Sequence, residues 1–494
     1  MGFKVPTEGY LENLYVNDSW LFEQFAGDRL WSCGYNTNGE LGDNTITHRS
    51  SPVQTIAGGT SWKQVAFSNN HTAAIKTDGT LWTWGYNLYG HLGDNSVTYK
   101  SSPVQTVAGG TNWKQVACGS SNTAAIKTDG TLWMWGNNSN GSIGDNSTTH
   151  KSSPVQTIAG GTNWKQVSSG SVCTAAIKTD GTLWTWGVNQ YGQLGDNSIT
   201  QKSSPAQTIA GGTNWKQVSC GQFHMAAIKT DGTLWTWGIN TRGQLGDNST
   251  TYKSSPVQTI AGGTNWKQVS CGGMNTTAIK TDGTLWTWGY NNFGQLGDNS
   301  ITQKSSPAQT IAGGTNWKQV SCGQFHMAAI KTDGTLWTWG INTRGQLGDN
   351  SVTGRSSPVQ TIAGGTNWKQ VSCGGMNTTA IKTDGTLWCC GYNTYGQVGD
   401  NTITHRSSPV QTVAGGTNWK TAYTGTDVNS AIKTDGTFWV WGRNQFGQLG
   451  DNTIVDKSSP IQTVAGGTNW KQGGAGRVTI HAISINNINT TGAE

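Results

Sequence analysis

The chain has 494 residues, including 70 Gly and 26 Trp, and charged residues make up only 12% of it, about half the share found in an ordinary soluble domain. Its net charge of +6 comes from lysines that recur along the whole length and form no run, which argues against nucleic acid binding. No apolar stretch is long enough to cross a membrane, and the first residues lack the features of a secretory signal, so membrane insertion and secretion by that route are not expected.

Residues 1–29 differ in character from the rest of the chain. Their stretch "EGYLENLYVNDSWLFEQF" mixes acidic and aromatic residues, and Asn17 or Asp18 is suited to cap a short helix. Exposed apolar residues in such an arm favour docking onto a partner. The predicted contact residues of the arm are Tyr15, Trp20 and Phe25. The alternative is that the arm folds back onto the rest of the chain, because burial against a protein's own core is the usual outcome.

Residues 30–487 are built from a repeat of 51 residues, and residues 488–494 form a short tail. The phrase "IKTDGTLWTWG" at 228–238 recurs with small changes, and its Lys marks the period. These lysines are Lys76, Lys127, Lys178, Lys229, Lys280, Lys331, Lys382 and Lys433. A fixed period of this length predicts a single repeat architecture and argues against a string of unrelated domains.

Each repeat contains four segments of strand length. In the fourth copy they are "PAQTI" (205–209), "WKQVSC" (215–220), "MAAIKT" (225–230) and "TLWTWG" (233–238). Asp231 and Gly232 between the last two segments predict a tight hairpin, because Asp-Gly readily adopts the positive φ angles of such turns. Four strands per repeat predict an all-β fold, either a β-propeller or a solenoid.

The two ends of the chain favour the propeller. Trp31 lies in a strand with no "AIK" strand before it, and Ile483 lies in an "AIK"-type strand with no "LW" strand after it. Pairing these two half-hairpins would complete one blade and remove the open edges of a solenoid. The "LW" Trp occurs nine times, so the sequence predicts one nine-bladed ring that is closed by its terminal strands.

The phrase "GTLWTWGINTRGQLGDN" closely resembles the regulator of chromosome condensation repeat, and the resemblance covers residues 30–485. It implies a propeller whose blades are shared between successive repeats. The founding member of that family is implied to be a seven-bladed nucleotide-exchange factor for a small nuclear GTPase, with a wedge inserted in one blade and a basic chromatin-binding tail. This chain has no insertion, no basic tail and two additional repeats.

A recurring Asp in the "GDN" phrase is the strongest candidate for a metal ligand. It occurs at Asp43, Asp94, Asp145, Asp196, Asp247, Asp298, Asp349, Asp400 and Asp451. Oxygen ligands of this kind suit calcium, but Asp also caps turns by bonding nearby backbone, and we favour that interpretation. His71, His224 and His326 share a register with Asn and Cys in other copies, so no metal site and no cofactor is expected.

Catalysis requires a unique cluster of residues, and the repeats argue against one. Residues 199–249 and 301–351 are identical, so any acid or base there exists twice. We assign no catalytic residue and expect a non-enzymatic protein. A carbohydrate-active enzyme is disfavoured because no unique carboxylate pair stands out.

Three short windows vary among the copies: the one after the second Trp of "LWTWG", the one before Pro, and the one before the "AIK" strand. Drift in tolerant loops would explain this variation. However, one position of the first window holds aromatic residues or Arg, which are typical of contact surfaces. The predicted contact residues are Tyr89, Tyr191, Arg242, Phe293, Arg344, Tyr395 and Phe446.

The aromatic arm followed at once by repeats resembles the arrangement in structural proteins of tailed phages, such as tail-fibre or baseplate components. This second resemblance implies a virion protein whose arm binds other virion proteins and whose loops contact a host-surface glycan or protein. The alternative is a cytoplasmic interaction scaffold or a small-GTPase exchange factor, as the repeat family allows.

Overall fold

A computed structural model describes residues 20–23, 29–56, 62–68, 70–169, 173–221, 223–475 and 479–484. Within these ranges the regular secondary structure consists of β-strands, which form nine sheets. Among the same residues, no helix could span a bilayer. Tyr15, Phe25, the predicted cap residues Asn17 and Asp18, and the tail at 488–494 lie outside the described residues.

The strands are, in chain order, β1 Trp20–Glu23, β2 Arg29–Gly34, β3 Arg49–Gln54, β4 Trp62–Phe67, β5 His71–Lys76, β6 Leu81–Gly85, β7 Lys100–Gln105, β8 Trp113–Cys118, β9 Asn122–Lys127, β10 Leu132–Gly136, β11 Lys151–Gln156, β12 Trp164–Ser169, β13 Cys173–Lys178, β14 Leu183–Gly187, β15 Lys202–Gln207, β16 Trp215–Cys220, β17 His224–Lys229, β18 Leu234–Gly238, β19 Lys253–Gln258, β20 Trp266–Cys271, β21 Asn275–Lys280, β22 Leu285–Gly289, β23 Lys304–Gln309, β24 Trp317–Cys322, β25 His326–Lys331, β26 Leu336–Gly340, β27 Arg355–Gln360, β28 Trp368–Cys373, β29 Asn377–Lys382, β30 Leu387–Gly391, β31 Arg406–Gln411, β32 Trp419–Thr424, β33 Val428–Lys433, β34 Phe438–Gly442, β35 Lys457–Gln462, β36 Trp470–Ala475 and β37 Thr479–Ser484.

Seven of the nine blades are antiparallel sheets of four successive strands, such as β16-β17-β18-β19; the first blade gains β1 as a fifth strand, and the last combines strands from both ends of the chain. The "WKQVSC" strand is innermost and the strand containing Pro is outermost. The predicted hairpin is present: Thr233 N–H donates to Asp231 Oδ1 at 2.9 Å, and Gly232 has φ +81°, where a Cβ would lie 2.0 Å from the carbonyl oxygen of Thr264 in the next blade. Outer strands begin earlier than predicted, because a bulge lets Lys202 pair with Gly187.

The core consists of nine hydrophobic clusters, each formed between two successive blades. In one of them, Ile177 and Leu183 of one blade pack against Trp215, Val218 and Trp237 of the next. Burying a large apolar side chain contributes about 1.5–3 kcal/mol. Inter-blade packing of this kind therefore holds the ring together at every junction.

The ring is closed by strands from both ends of the chain. The closing blade has the order β3-β2-β37-β36, and Leu30 pairs with Ile483 in its centre. These two residues also pack on Trp62 and Val65 of the first blade. The predicted nine-bladed ring and its mode of closure are confirmed.

The arm contributes β1, which pairs antiparallel with the innermost strand β4 and places Trp20 opposite Phe67. The predicted short helix is wrong over residues 20–23, which form a strand. The reason is that β4 presents an open edge of backbone N–H and C=O groups, and an extended segment satisfies them. This part of the arm folds back onto the ring, as the alternative interpretation proposed.

Side chains also join the innermost strands of neighbouring blades. Gln319 Nε2 donates to the carbonyl oxygen of Val371 at 3.1 Å, and Val371 N–H donates back to Gln319 Oε1 at 3.1 Å. Gln370 makes the same pair of hydrogen bonds with Ala422 of the following blade. These glutamines act as cross-links around the inner wall.

Candidate interaction face

Antiparallel strands alternate in direction, so the connections of each blade divide between two faces of the ring. The connections from the first to the second strand and from the third to the fourth share one face, which we call the variable face because it carries all three variable windows. The hairpin between the second and third strands and the connection to the next blade share the other, which we call the constant face.

A buried Asn holds each long loop of the variable face in shape. Asn240 is fully buried; its amide donates to Asp247 Oδ1 at 3.0 Å, and its Oδ1 accepts from Leu245 N–H at 3.0 Å. Asn248 adopts φ +62°, and its N–H donates to the carbonyl oxygen of Ser305 in the next blade at 2.7 Å. The loop is thus fixed to its own blade and to its neighbour, which makes a rigid platform.

The recurring Asp of these loops is used by the protein itself. Asp43 accepts hydrogen bonds from Thr45 N–H at 3.1 Å, from Asn36 Nδ2 at 3.0 Å and from Arg49. Burial opposes ionisation of Asp43, but the hydrogen bonds from Arg49, Thr45 and Asn36 outweigh it and lower the pKa of the carboxyl group. This is the turn-capping role that the sequence favoured, combined with an ion pair to the start of the outer strand.

Aromatic residues of the first window contact the other two windows of the next blade. The ring of Tyr191 lies 5.4 Å from that of Phe223 and 5.1 Å from that of Tyr252, both edge-to-face. The Phe293 ring lies 5.2 Å from that of Phe325, and Phe293 remains 37% exposed. These pairs place residues from all three windows in single clusters at the blade junctions.

The two arginines of the first window occupy the same kind of junction. The guanidinium of Arg242 lies 5.6 Å from the centre of the Tyr290 ring, and that of Arg344 lies 5.9 Å from the Tyr392 ring. Arg344 Nη1 is also 3.4 Å from His405 Nε2. Burial lowers the pKa of His405, and the charge of Arg344 lowers it further. Arg344 therefore supplies the fixed positive charge of this cluster.

Two further predicted contact residues, Tyr89 and Tyr395, also contact a side chain of the next blade. Tyr89 lies 4.8 Å from His150 between ring centres. Tyr395 lies under the guanidinium of Arg443 at 4.8 Å, and Arg443 forms an ion pair with Asp427 at 3.0 Å.

Phe446 completes this pattern across the closing junction. Its ring lies 5.3 Å from that of Tyr35 and 5.1 Å from that of His48. Both partners come from the beginning of the chain, so closure of the ring also completes the variable face.

Sequence reasoning found one member of each cluster and missed its partners on the next blade. The missed residues are Tyr35, His48, His150, Phe223, Tyr252, Tyr290, Phe325, Tyr392, His405 and Arg443. Three pairs share a separation of 61 residues: Tyr89 with His150, Tyr191 with Tyr252, and Arg344 with His405. That separation equals one repeat of 51 residues plus the distance between two windows. It indicates a contact only once successive repeats are known to form neighbouring blades.

Beneath this surface, the histidines of the shared register are buried. His224 Nε2 lies 3.0 Å from Thr276 Oγ1 of the next blade, and burial lowers the pKa of His224 to about 4. His326 makes the equivalent contact with Thr378 at 3.0 Å. Over the described ranges, no cluster of three His, Cys, Asp or Glu side chains is arranged to hold a metal ion.

Comparison with known proteins identifies relatives of this chain. The family model described as the RCC1-like domain matches residues 25–298 and 213–489. The ultraviolet-B receptor UVR8 of Arabidopsis thaliana is 33% identical over 67% of this chain and 77% of its own length. The human E3 ubiquitin-protein ligase HERC2 is 28% identical over 81% of this chain, and the match spans only 9% of HERC2.

Solved structures share the architecture. Prp20p of Saccharomyces cerevisiae aligns with a TM-score of 0.52 at 15% identity, covering 95% of this chain and 94% of that one. Yeast RCC1 (Prp20) bound to Kap60 aligns with a TM-score of 0.51 at 14% identity, over 99% and 97% of the two chains. At these identities the likeness shows the fold alone. From the matched family model and from the plant relative, the chain belongs to the RCC1-like domain family.

Proposed function

We propose that this chain is a non-enzymatic interaction scaffold that binds a protein partner on the variable face. The observation that supports this most strongly is the convergence of three separately variable windows into clusters of aromatic and Arg side chains at the blade junctions. Aromatic or basic residues at seven of the nine copies of one first-window position favour binding over drift, because loop positions free of constraint accept small polar residues as readily.

The chemistry of the clusters suits recognition of a protein. Rigid aromatic rings and Arg contribute most of the binding energy at protein interfaces, where they fill desolvated pockets on the partner. The clusters also differ in chemistry. Phe293 and Phe325 form an aromatic cluster, whereas Arg344 with Tyr392 and Arg242 with Tyr290 form cationic clusters. The same structural frame therefore presents clusters of different chemistry around the ring, which suits a partner that does not share the symmetry of the ring.

The relatives support a cellular scaffold over a virion component. Those named above are plant, human and yeast proteins, and they give the tail-fibre hypothesis no support. The yeast Prp20p structure is described together with its binding to Gsp1p and histones. We extend from it only the general role of protein binding, and place the protein inside the cell. Exchange activity on a small GTPase is a finer form of the proposal.

Site-specific photo-crosslinking in source cells tests the proposal. A photoreactive phenylalanine replaces Phe293 on the variable face, and the matched control carries it at Ile311, which is 52% exposed on the constant face. We expect a discrete adduct from position 293 that disappears when Arg344 is changed to Ser, and none of the same mass from position 311. Equal adducts from both positions, or none from 293, would overturn the proposal. Recovery of the chain in purified virus particles would reinstate the virion hypothesis.

A further inference from the structure

The constant face carries a ring of lysines around the central opening. The second residue of every innermost strand is Lys, at Lys63, Lys114, Lys165, Lys216, Lys267, Lys318, Lys369, Lys420 and Lys471. The first eight are exposed, and we call these eight the lysine ring. Each innermost strand starts at the constant face, so the ring surrounds that mouth of the opening.

The position of these lysines within the strand is the same from blade to blade. The register of β16 against β17 shifts between Trp215 and Gln217, and that of β20 against β21 shifts between Trp266 and Gln268. The lysine between them, Lys216 or Lys267, is the extra residue of a β-bulge. Bulges re-aim a side chain away from the ladder, which leaves each ring lysine free of the sheet's packing.

The needs of folding explain only part of why the sequence of the constant face is so similar in every copy. The connections of the variable face differ between copies, whereas those of the constant face hardly do. Gly130 is required, since a Cβ there would lie 2.0 Å from the carbonyl oxygen of Thr162, and Trp113 is buried and donates to the carbonyl oxygen of Gly109 at 3.0 Å. No comparable contact constrains the exposed Lys114 that follows Trp113.

The charge of the lysine ring is also uncompensated. None of the ion pairs formed among the described residues uses a ring lysine. The acidic residue of each hairpin, such as Asp231, faces the Lys two residues before it, here Lys229. The strands that carry the ring lysines contain no Asp or Glu, and Glu23 of β1 is the acidic residue in the strand added inside them. A one-signed ring of this kind raises the local concentration of anions.

The structure also shows what kind of chain fits along the inner wall. Strand β1 is an extended segment that pairs with the open edge of β4, and its last residue, Glu23, is in register with Gln64, the neighbour of Lys63. The arm sequence around it, "NDSWLFE", contains Asp18 and Glu23 and no basic residue. An extended segment whose last residue is acidic therefore lies along β4 and ends near the constant face. On β20, β28 and β32 the corresponding backbone groups are already hydrogen-bonded to side chains of the preceding blade.

We propose that the lysine ring binds an extended acidic segment of a partner protein, which lies across the constant-face mouth of the opening with its carboxylates against several ring lysines. Ion pairs between these carboxylates and the ring lysines supply the attraction and select an acidic partner. This site is separate from the variable face and therefore extends beyond the proposed function. A failure of either proposal leaves the other unaffected.

Other occupants fit less well. Single-stranded nucleic acid needs aromatic platforms for its bases, but the Trp that precedes each ring lysine is at most 5% exposed, and Trp235 on the same face is covered by Lys229 at 4.9 Å. A second copy stacked face to face on the common axis would set one lysine ring against the other. Like charges placed in this way oppose association.

Fluorescence anisotropy with labelled peptides tests the proposal on the full chain. The probe is a short peptide of alternating Glu and Val, which is acidic and favours an extended conformation; a Gln-Val peptide and an oligothymidine serve as comparison probes. We expect binding of the Glu-Val peptide alone, weakening as salt is added. Changing Lys216, Lys267, Lys318 and Lys369 together to Gln should weaken it about tenfold, since exposed ion pairs contribute little singly and act here as a group.

A matched variant separates the ring from net charge. Changing Lys100, Lys151, Lys202 and Lys253 to Gln removes the same four charges from outer strands, and should leave peptide binding within about twofold. Thermal melting checks that both variants are folded. Equal binding of the Gln-Val peptide, tighter binding of oligothymidine, or no binding of any probe would overturn the proposal. Concentration-dependent association of the chain that the ring variant abolishes would instead assign the ring to the arm of a second copy, and would also overturn it.

Discussion

Trp31 Nε1 donates a hydrogen bond of 3.0 Å to Ser484 Oγ, across 453 positions of sequence. In every complete blade the equivalent Trp bonds locally: Trp235 donates to Thr233 Oγ1 at 2.9 Å, two residues away. The closing blade therefore replaces a covalent hairpin by non-covalent contacts between the two ends of the chain. Its stability has to come from packing and from the β2–β37 ladder.

Removal of β37 should open the ring. Truncation after residue 478 removes Ile483, which is fully buried against the first blade, and exposes the edge of β2. We expect a loss of at least the roughly 1.5–3 kcal/mol that burial of one such side chain contributes, together with self-association through the new edge. Thermal melting and light scattering measure both. Truncation after residue 487 keeps β37 and serves as the control; equal stability of the two proteins would contradict closure.

Lysines of the "AIK" strands should stabilise the ring by stacking between two indoles. Lys229 Nζ lies 4.8 Å from the centre of the Trp215 ring and 4.9 Å from that of Trp235. A desolvated cation–π contact contributes up to about 2 kcal/mol, so Lys229→Met should lower the free energy of unfolding by roughly 1–2 kcal/mol despite similar side-chain volume. Urea unfolding measures this. Lys216→Met, at an exposed position one residue from Trp215, should have little effect, and similar losses in both variants would argue against the stacking.

The sequence predicted the strands, the hairpin and the closure because each depends on local pattern or on the period. It did not predict the stacking of Lys229, which requires that Trp215 pair with Lys229 across a bulged register. It also did not predict the partners of Tyr191 or Arg344, because those contacts cross from one blade to the next. Capping at Asn17 or Asp18 is a local preference, and over residues 20–23 the open edge of β4 outweighed it.

The glutamine cross-links predict a stabilising substitution. Thr421 stands where other copies have Gln, and its buried hydroxyl makes no hydrogen bond. By the register of Gln370 with Ala422, a Gln at position 421 would face the backbone of Gly473. Thr421→Gln should therefore raise the free energy of unfolding by about 0.5–1.5 kcal/mol, the net value of added hydrogen bonds. The reverse change, Gln370→Thr, should lower it in the same assay, and a destabilised Thr421→Gln would refute the cross-link argument.

The buried histidines should make the ring sensitive to mild acid. Burial lowers the pKa of His224 and of His326 from 6.5 to about 4, so the unfolded chain binds more protons than the folded one between these values. Stability is then fully present above pH 6.5 and falls as the pH drops toward 4. At pH 5 each histidine should cost about 2 kcal/mol, at 1.36 kcal/mol per unit. The lowered pKa of carboxyl groups such as Asp43 acts only below 3.8, so it does not enter this window.

Replacing both histidines by Asn, the residue that Asn275 and Asn377 supply at the same register, isolates this effect. The double variant loses its contacts with Thr276 and Thr378 at every pH, so the quantity to compare is the change in unfolding free energy between pH 7.5 and pH 5. We expect that change to shrink by about 4 kcal/mol relative to the unmodified chain. His150→Asn, an exposed position on the variable face, should leave the change as it was. Part of the acid sensitivity should remain, because burial also lowers the pKa of His71, His91 and His481. A change that does not shrink in the double variant would contradict the prediction.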